Sequence, residues 1–249
     1  MNKSLNYDKA LEYWAEIPAT LDGVLGGFGH ISDEDILGSK LFLRSILSLE
    51  HAPGTKTALD CGAGIGRITK HLLTNYFDRV DVIEPDVKFI NSILDYVGEN
   101  KHKVGSLYQV SLQDFNPERK YDLIWNQWVL GYLKDNDLVN FLSNCRESLS
   151  KNGILIVKEN VTSSGKAEID PTDSSVTRTL KQFFKIFKSA KLKRIKQCKQ
   201  LNFPNGIYPV YMFRRPNYTL NLIPYPCSLL LIPLAYSFIK RPKTHLQHF

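Results

Sequence analysis

The sequence predicts an α/β protein with a doubly wound, seven-stranded, mostly parallel sheet and an N-terminal helical cap. Segments with strand character alternate with segments of helical periodicity from residue 56 onward, which is the pattern of a parallel α/β sheet. The first predicted strand ends at Asp60 and leads into a glycine turn at 62–66 and then a helix. The apolar run at 154–157 is typical of a strand buried on both faces.

The N-terminal cap is expected to comprise residues 1–51. Residues 4–15 have helical periodicity, with Trp14 on the apolar face. The segment 17–32 is rich in glycine but carries too many apolar side chains for a flexible linker, so it predicts an ordered loop that packs over the domain. Ser32 is the expected N-cap of a helix that reaches residue 49, and three acids lie in its first turn.

Residues 52–216 are expected to form the ligand-binding domain. Apolar and β-branched runs bounded by turn residues predict its strands, and apolar residues three and four apart predict its helices. The predicted strands are 56–60, 79–84, 107–111, 121–125, 153–159, 193–199 and 208–214, and the predicted helices are 66–77, 86–98, 135–149 and 174–190.

The last segment, 217–249, is expected to be a separate extension. Its run 222–239 is almost wholly apolar and has nearly the length of a membrane span, but three prolines interrupt it, and each removes a helical hydrogen bond. We therefore expect this extension to pack on the domain or to be poorly ordered. A membrane contact, or an extension without a function, is the alternative.

Charge is distributed unevenly along the 249 residues. Fourteen of the 32 Lys and Arg residues follow Asp173, and none of the 25 Asp and Glu residues do. The acidic front could attract a cationic substrate, and the basic C-terminal third could contact a nucleic acid or another anionic surface, or could simply be a solvated face.

The four cysteines are scattered and form no C-x-x-C pair, which indicates buried thiols in a reducing compartment and neither a disulfide framework nor a zinc site. The first 14 residues contain no apolar stretch of signal-peptide length. A cytoplasmic or nuclear location and the absence of a metal are the resulting expectations.

The glycine turn and the ends of the next two strands predict a site for a ribose-bearing cofactor. The G-x-G-x-G spacing at 62–66 differs from the dinucleotide pattern and favours S-adenosylmethionine over NAD. Glu84 ends the second strand, where an acid can accept hydrogen bonds from ribose hydroxyls, and Asp60 would lie near the methionine amino group. Leu112 and Gln113 follow the third strand, where an adenine ring is expected. A purely structural turn and a surface acid at Glu84 are the alternatives.

A second group of polar and aromatic residues lies beyond the ends of the fourth and fifth strands, where ligands bind in open α/β sheets. Its two aspartates precede a predicted helix, so they could be caps, or they could hold a cation beside an aromatic floor. The tryptophan could equally be a core residue. The group consists of Gln127, Trp128, Tyr132, Asn160, Asp170, Asp173 and Ser175.

Six stretches together resemble the protein α-N-terminal methyltransferases, which use S-adenosylmethionine to methylate chains that begin X-Pro-Lys after removal of the initiator methionine. The resemblance covers about residues 7–215. The stretches are LDCGAGIGRITK at 59–70, the YW…IP…T.DG.LGG.GHIS pattern at 13–32, LQDF at 112–115, IWNQWVLG at 124–131, KEN at 158–160 and DSSV at 173–176.

The resemblance implies a class I methyltransferase fold, S-adenosylmethionine as cofactor and protein N-termini as substrates, with ribosomal or nuclear proteins as candidates. It implies that Trp14, Leu25 and Tyr208 line the peptide channel and that the segment 26–30 closes over this channel. Trp128 would pack on the substrate proline, and Asn160 would form hydrogen bonds with the first residues of the substrate. The lysine and the α-amine would be handled by Asp170 and Asp173, and Ser175 is a further predicted substrate-binding residue. The cofactor would contact Gly62, Gly64, Arg67, Glu84, Leu112, Gln113 and Gln127.

One departure from the family pattern concerns Tyr132, which stands where the family usually has histidine. If that histidine is the base that accepts the proton of the substrate amine, its absence leaves Asp173 as the expected base. Tyr132 and Asn160 are the other candidate catalytic residues. Two other functions stay open on the sequence. The chain could methylate a small molecule or RNA, or it could be a non-catalytic relative that has kept the fold without the base.

Overall fold

A seven-stranded sheet organises the computed structural model, which describes residues 5–192 and 195–214. The strands are β1 (Thr57–Cys61), β2 (Arg79–Ile83), β3 (Val104–Tyr108), β4 (Tyr121–Gln127), β5 (Leu149–Asn160), β6 (Glu168–Ile169), β7 (Val176–Thr177), β8 (Lys196–Lys199) and β9 (Val210–Arg214). The sheet order is β3-β2-β1-β4-β5-β9-β8, and β6 pairs with β7 outside the sheet. Strands β1 to β5 pair in parallel, and β9 is antiparallel to both neighbours. The predicted fold class is confirmed.

Helices cover both faces of this sheet. They are α1 (Tyr7–Glu16), α2 (Leu21–Val24), α3 (Ser32–Leu47), α4 (Arg67–His71), α5 (Val87–Val97), α6 (Asp135–Glu147) and α7 (Leu180–Ser189). Alternate residues of β1 enter two separate cores, because successive strand side chains point to opposite faces. Leu59 joins the core under α6 and α7, whereas Ala58 joins the core under α3, α4 and α5.

Polar contacts made by Lys88 and Tyr7 help to attach the N-terminal cap to the domain. Lys88 on α5 donates to the carbonyl oxygens of Trp14, Ala15 and Ile17 at the end of α1, where a cation complements the helix dipole. The Tyr7 hydroxyl donates to Asp137 Oδ2 at 2.5 Å. These contacts bring α1 and the loop after it over the carboxyl ends of the central strands.

Two predicted helix starts were wrong. Ser32 is the first residue of α3 and not its cap, because a 3₁₀ turn over Gly29–Ile31 runs directly into the helix. The predicted helix 174–190 begins only at Leu180, after a capping box formed by Thr179 and Gln182. Asp170 and Asp173 therefore belong to the hairpin of β6 and β7 and cap no helix, which leaves the second interpretation of these acids.

Other boundaries shifted by a few residues. Helix α4 ends at His71 and continues as a 3₁₀ turn over Leu73–Asn75, and β3 begins three residues earlier than predicted. The extension 217–249 lies outside the described residues. Within the residues that the structure describes, no helix is long and apolar enough to cross a membrane.

Candidate active site

The glycine turn after β1 presents its backbone to a cavity at the switch point, where β1 lies between β2 and β4. Gly62, Gly64 and Gly66 all have positive φ, at 69°, 55° and 87°. A Cβ on Gly62 would come within 2.4 Å of the Val129 side chain, whereas a Cβ on Gly64 would meet nothing nearer than Val24 at 3.4 Å. Gly64 therefore leaves space for a ligand, and Gly62 leaves space for the turn after β4.

Glu84 closes one end of this cavity. Its carboxylate is 7% exposed and accepts hydrogen bonds from the amides of Gly64 and Asp86, at 2.8 and 3.0 Å. Burial raises the pKa of Glu84 to about 7, although both backbone hydrogen bonds act in the opposite direction. An acid that borders the cavity and binds the glycine turn can accept from ribose hydroxyls, as the sequence predicted.

The rest of this cavity, which we call the cofactor cavity, fits an adenosine group bonded to a polar tail. Leu112 and Gln113 line it, whereas Asp114 does not. Asp60 is the predicted cofactor residue that does not reach the lining, because its carboxylate is 2% exposed and accepts from the Thr69 hydroxyl at 2.6 Å. The lining includes the predicted Gly62, Gly64, Arg67, Glu84, Leu112, Gln113 and Gln127, and also Tyr7, Ala10, Val24, Pro85, Phe89 and Val129, which the sequence reasoning missed.

A buried ionic network holds the side chains of Arg67 and Gln127 in place. Asp35 on α3 is fully buried and accepts from Arg67 Nη1 at 2.8 Å and from Gln127 Nε2 at 2.9 Å. Lys158 Nζ, also fully buried, lies 2.6 Å from Asp35 Oδ1 and donates to Ser39. Burial alone would raise the pKa of Asp35, but Lys158 and Arg67 outweigh it and lower that pKa. Because the network joins the cap to two lining residues, the cap is part of the site.

A second, wider cleft of about 1030 Å³ adjoins the cofactor cavity. Trp14, Leu25, Trp128 and Tyr132 line both spaces. The other predicted substrate residues, namely Asn160, Asp170, Asp173, Ser175 and Tyr208, line the wide cleft. It is also lined by Gly26 and Phe28 of the predicted 26–30 segment, and by Tyr13, Glu159, Glu168 and Phe203, which were not predicted as site residues. The structure thus brings all predicted substrate and catalytic residues together.

Trp128 forms the floor between the two spaces. Its φ is 53°, a left-handed conformation that bulky residues rarely adopt and that is typical of functional sites. The Arg67 guanidinium lies 5.4 Å from the centre of its ring. Its buried Nε1 has no hydrogen-bond partner among the described residues, so this donor is available to a bound ligand.

Tyr132 and Asp173 form a hydrogen-bonded pair in the wide cleft. The Tyr132 hydroxyl donates to Asp173 Oδ2 at 2.7 Å, and Asp173 Oδ1 accepts from the Ser175 amide at 2.9 Å. The Tyr132 ring packs edge-on against Trp14, with 6.0 Å between centroids. Burial and the Asp173 carboxylate raise the pKa of Tyr132 well above its usual range, so the phenol holds its proton.

The outer end of the cleft is also acidic. Glu168 accepts from the hydroxyls of Ser164, Thr162 and Tyr208, and these hydrogen bonds lower the pKa of its carboxyl to about 2. Together with Asp170 and Asp173 it gives the cleft a negative potential. In the described part of the chain, no group of three or more His, Cys, Asp or Glu residues could hold a metal ion.

The sequence signal for the missed residues was partial. Phe89 and Tyr13 belong to helices whose existence was predicted, but only packing decides which helix face borders a cavity. Asp35 looked like a dipole-complementing acid in the first turn of a helix, and its burial beside Lys158, 123 residues away in the sequence, follows only from the tertiary structure.

The sheet order, the glycine turn and the acid after β2 define a class I methyltransferase whose cofactor is S-adenosylmethionine. Residues 2–215 match the family described as "AdoMet dependent proline di-methyltransferase", and the chain belongs to this family. The class, the family and the cofactor expected from the sequence are thereby confirmed.

Individual relatives agree with this assignment. The chain is 47% identical over 209 residues to "Alpha N-terminal protein methyltransferase 1" of Drosophila melanogaster, covering 83% of this chain and 74% of the relative. It is 46% identical to "N-terminal Xaa-Pro-Lys N-methyltransferase 1" of Bos taurus, covering 82% and 92%. Among solved structures, a S-adenosylmethionine-dependent methyltransferase of Leishmania major is 39% identical with a TM-score of 0.78, covering 84% of this chain and 82% of that one.

Proposed function

We propose that this protein transfers methyl groups from S-adenosylmethionine to the α-amine of proteins whose mature N-terminus reads X-Pro-Lys. The observation that carries the proposal is the acidic cleft, which meets the cofactor cavity at Trp128 and holds the Tyr132–Asp173 pair beside it. Relatives that are 45–47% identical are named for N-terminal methylation, most of them for the Xaa-Pro-Lys sequence.

The cleft offers complementary groups for each part of such an N-terminus. The ring of Trp128 at the floor matches the flat, apolar proline. Asn160 lies at the end of β5, where its amide can bond the backbone of the first residues. Asp170 is an exposed carboxylate in the same cleft and suits the lysine ammonium. The negative potential also disfavours RNA, because carboxylates repel phosphates.

Bound S-adenosylmethionine supplies an electrophilic methyl group, and the amine must reach it with a free lone pair. An α-amine has a reference pKa of about 7.7–8.0 and a lysine amine about 10.4, so the α-amine is easier to deprotonate by about 3.4 kcal/mol. The demand on a base is therefore modest, and orientation of the amine supplies much of the remaining rate.

The Tyr132–Asp173 pair can take that proton in one concerted movement. The Tyr132 oxygen accepts from the protonated α-amine while its own hydroxyl donates to Asp173. As one N–H bond of the ammonium breaks, a new O–H bond forms on Tyr132 and the former Tyr132 proton moves to the Asp173 carboxylate, which leaves a neutral amine with a free lone pair. The phenol stays neutral throughout, which agrees with the raised pKa of Tyr132.

Mass spectrometry of a peptide that begins Ser-Pro-Lys tests the proposal. We expect mass additions of one methyl each, confined to the N-terminal residue, and no addition on the same peptide with an acetylated N-terminus. Methylation of RNA or a small molecule instead, or binding of S-adenosylhomocysteine and peptide without turnover, would contradict the proposal.

We expect the protein in the cytoplasm or nucleus, with ribosomal or nuclear proteins among its substrates. Lys181, Lys185 and Lys188 are exposed on one face of α7, and no Asp or Glu follows Asp173. This face supports an additional contact with nucleic acid or another anionic surface. Fluorescence microscopy of the tagged full chain and a salt-dependent nucleic-acid binding assay test the two expectations separately.

A further inference from the structure

The turn after β4 carries two site residues within five positions. Trp128 opens it in the left-handed conformation, with φ 53°, and Leu130–Tyr132 close it as a 3₁₀ turn. An unfavourable conformation at a bulky residue persists only when the surroundings hold it in place.

Glu159 at the end of β5 makes two of the contacts that hold this turn. Its carboxylate is 5% exposed, and Oε1 accepts from the amides of Val129 at 2.8 Å and Leu130 at 2.7 Å. The preceding residue of β5, Lys158, accepts through its carbonyl oxygen from the Trp128 amide at 3.0 Å. Three consecutive amides of the turn are thus fixed by two consecutive residues of β5.

The same turn is held from its other side. Arg178, which is 2% exposed, donates through Nη1 to the Leu130 carbonyl oxygen at 2.9 Å. The Val129 side chain fills the space left by the missing side chain of Gly62. A small movement at Val129 and Leu130 would therefore shift Trp128 on one side and Tyr132 on the other.

We propose that Glu159 is a positioning residue, which sets Trp128 against the substrate proline and Tyr132 against Asp173 by accepting from the Val129 and Leu130 amides. The inference rests on the proposed function for the identity of the substrate. It does not require Glu159 to contact the substrate, because its effect passes through the backbone of the turn.

The charge of Glu159 contributes to this role. Hydrogen bonds to an ionised carboxylate are about twice as strong as those to a neutral acceptor. Burial raises the pKa of Glu159 to about 7, against the two amides and the positive charge of Arg178. Other titratable groups of the wide cleft include the carboxylates of Glu168, Asp170 and Asp173 and the neutral phenol of Tyr132. In the neighbouring cofactor cavity, Glu84 also titrates near pH 7.

The test compares Glu159→Gln, which keeps an acceptor of the same size without the charge, with the exposed surface variant Glu118→Gln. We expect kcat/KM for a Ser-Pro-Lys peptide to fall about tenfold in Glu159→Gln, because both charge-assisted contacts at Oε1 weaken to neutral ones. The unfolding temperature should change little in both variants, which shows that the fold is kept.

Two further readouts separate positioning from a merely structural role. With saturating S-adenosylhomocysteine, peptide binding by the wild type should weaken as the pH falls from 7.5 to 5.5, and Glu159→Gln should lose part of this dependence. In a double-mutant cycle with Tyr132→Phe, the losses should be less than additive, because both changes remove the placement of one hydroxyl.

An unchanged kcat/KM in Glu159→Gln, strictly additive losses, or the wild-type pH dependence in the variant would each overturn the inference. A wild-type enzyme that does not methylate the peptide at all would contradict the proposed function first. The two failures are distinguishable, because only the second concerns the wild type.

Discussion

Replacement of Asp173 by asparagine tests the proton path at its end point. The change removes the carboxylate that receives the Tyr132 hydroxyl at 2.7 Å and leaves the size of the side chain unchanged. General-base catalysis contributes about 10²–10⁴-fold, which corresponds to a barrier increase of about 3–5 kcal/mol. We therefore expect kcat to fall at least a hundredfold near pH 7.5.

Cofactor binding should survive this change, because Asp173 lines the wide cleft and not the cofactor cavity. Isothermal titration with S-adenosylhomocysteine measures this, and we expect less than a twofold change in its dissociation constant, because no bond to the cofactor is lost.

The pH dependence of Asp173→Asn gives a sharper reading. With a reference pKa of about 7.7–8.0, roughly a tenth of the free α-amine is neutral at pH 7 and about nine-tenths at pH 9. The variant should regain up to about tenfold in rate over this range, as solvent removes the proton that Asp173 no longer accepts. Near-normal turnover of the variant at pH 7.5, or loss of cofactor binding, would refute the reasoning.

Three other variants test neighbouring parts of the site. Tyr132→His should retain activity within about threefold of the wild type or exceed it, because histidine is itself a suitable base near neutral pH. A much larger loss in the peptide assay would mean that the phenol is essential. The pKa of Glu84 is near 7, so the wild type should bind S-adenosylhomocysteine less tightly below pH 7. Glu84→Gln should weaken this binding and remove the part of its pH dependence that comes from Glu84. Titration calorimetry at several pH values measures both effects. Asp35→Asn should lower the free energy of unfolding in urea by about 3–5 kcal/mol, because it leaves buried Lys158 without its partner, whereas the exposed control Asp8→Asn should change it by less than about 0.5 kcal/mol. Because the pKa of Asp35 is lowered in the folded state, its stabilisation is present at neutral pH and is lost only as the pH falls through the range where that carboxyl takes up a proton.

The fold was predictable because its signals are local. Apolar runs, turn residues and helical periodicity predicted the number of strands in the main sheet. The glycine turn and Glu84 identified the cofactor, since a ligand that approaches the backbone this closely excludes side chains there. The substrate residues were predicted through the resemblance, and the structure places them in one cleft.

Element boundaries near the site were less predictable. Residues 174–190 were predicted as one amphipathic helix, yet Ser174 has φ 58° and Val176–Thr177 pair with β6. Val and Thr favour strands, and the pairing with β6 fixes the extended conformation there. This outcome places Asp170 and Asp173 in the cleft, where they can face a cationic substrate.

The sequence by itself determined the fold class and the cofactor, because these depend on residue types at fixed local spacing, and its resemblance to a family supplied the residues of the substrate cleft. Only the tertiary structure decided which groups support them. Asp35 and Lys158 lie 123 residues apart and meet only because α3 packs over β5. Glu159 accepts from the turn after β4 only because β5 pairs in register with that strand. Such contacts between distant residues leave no local pattern, so packing alone reveals them.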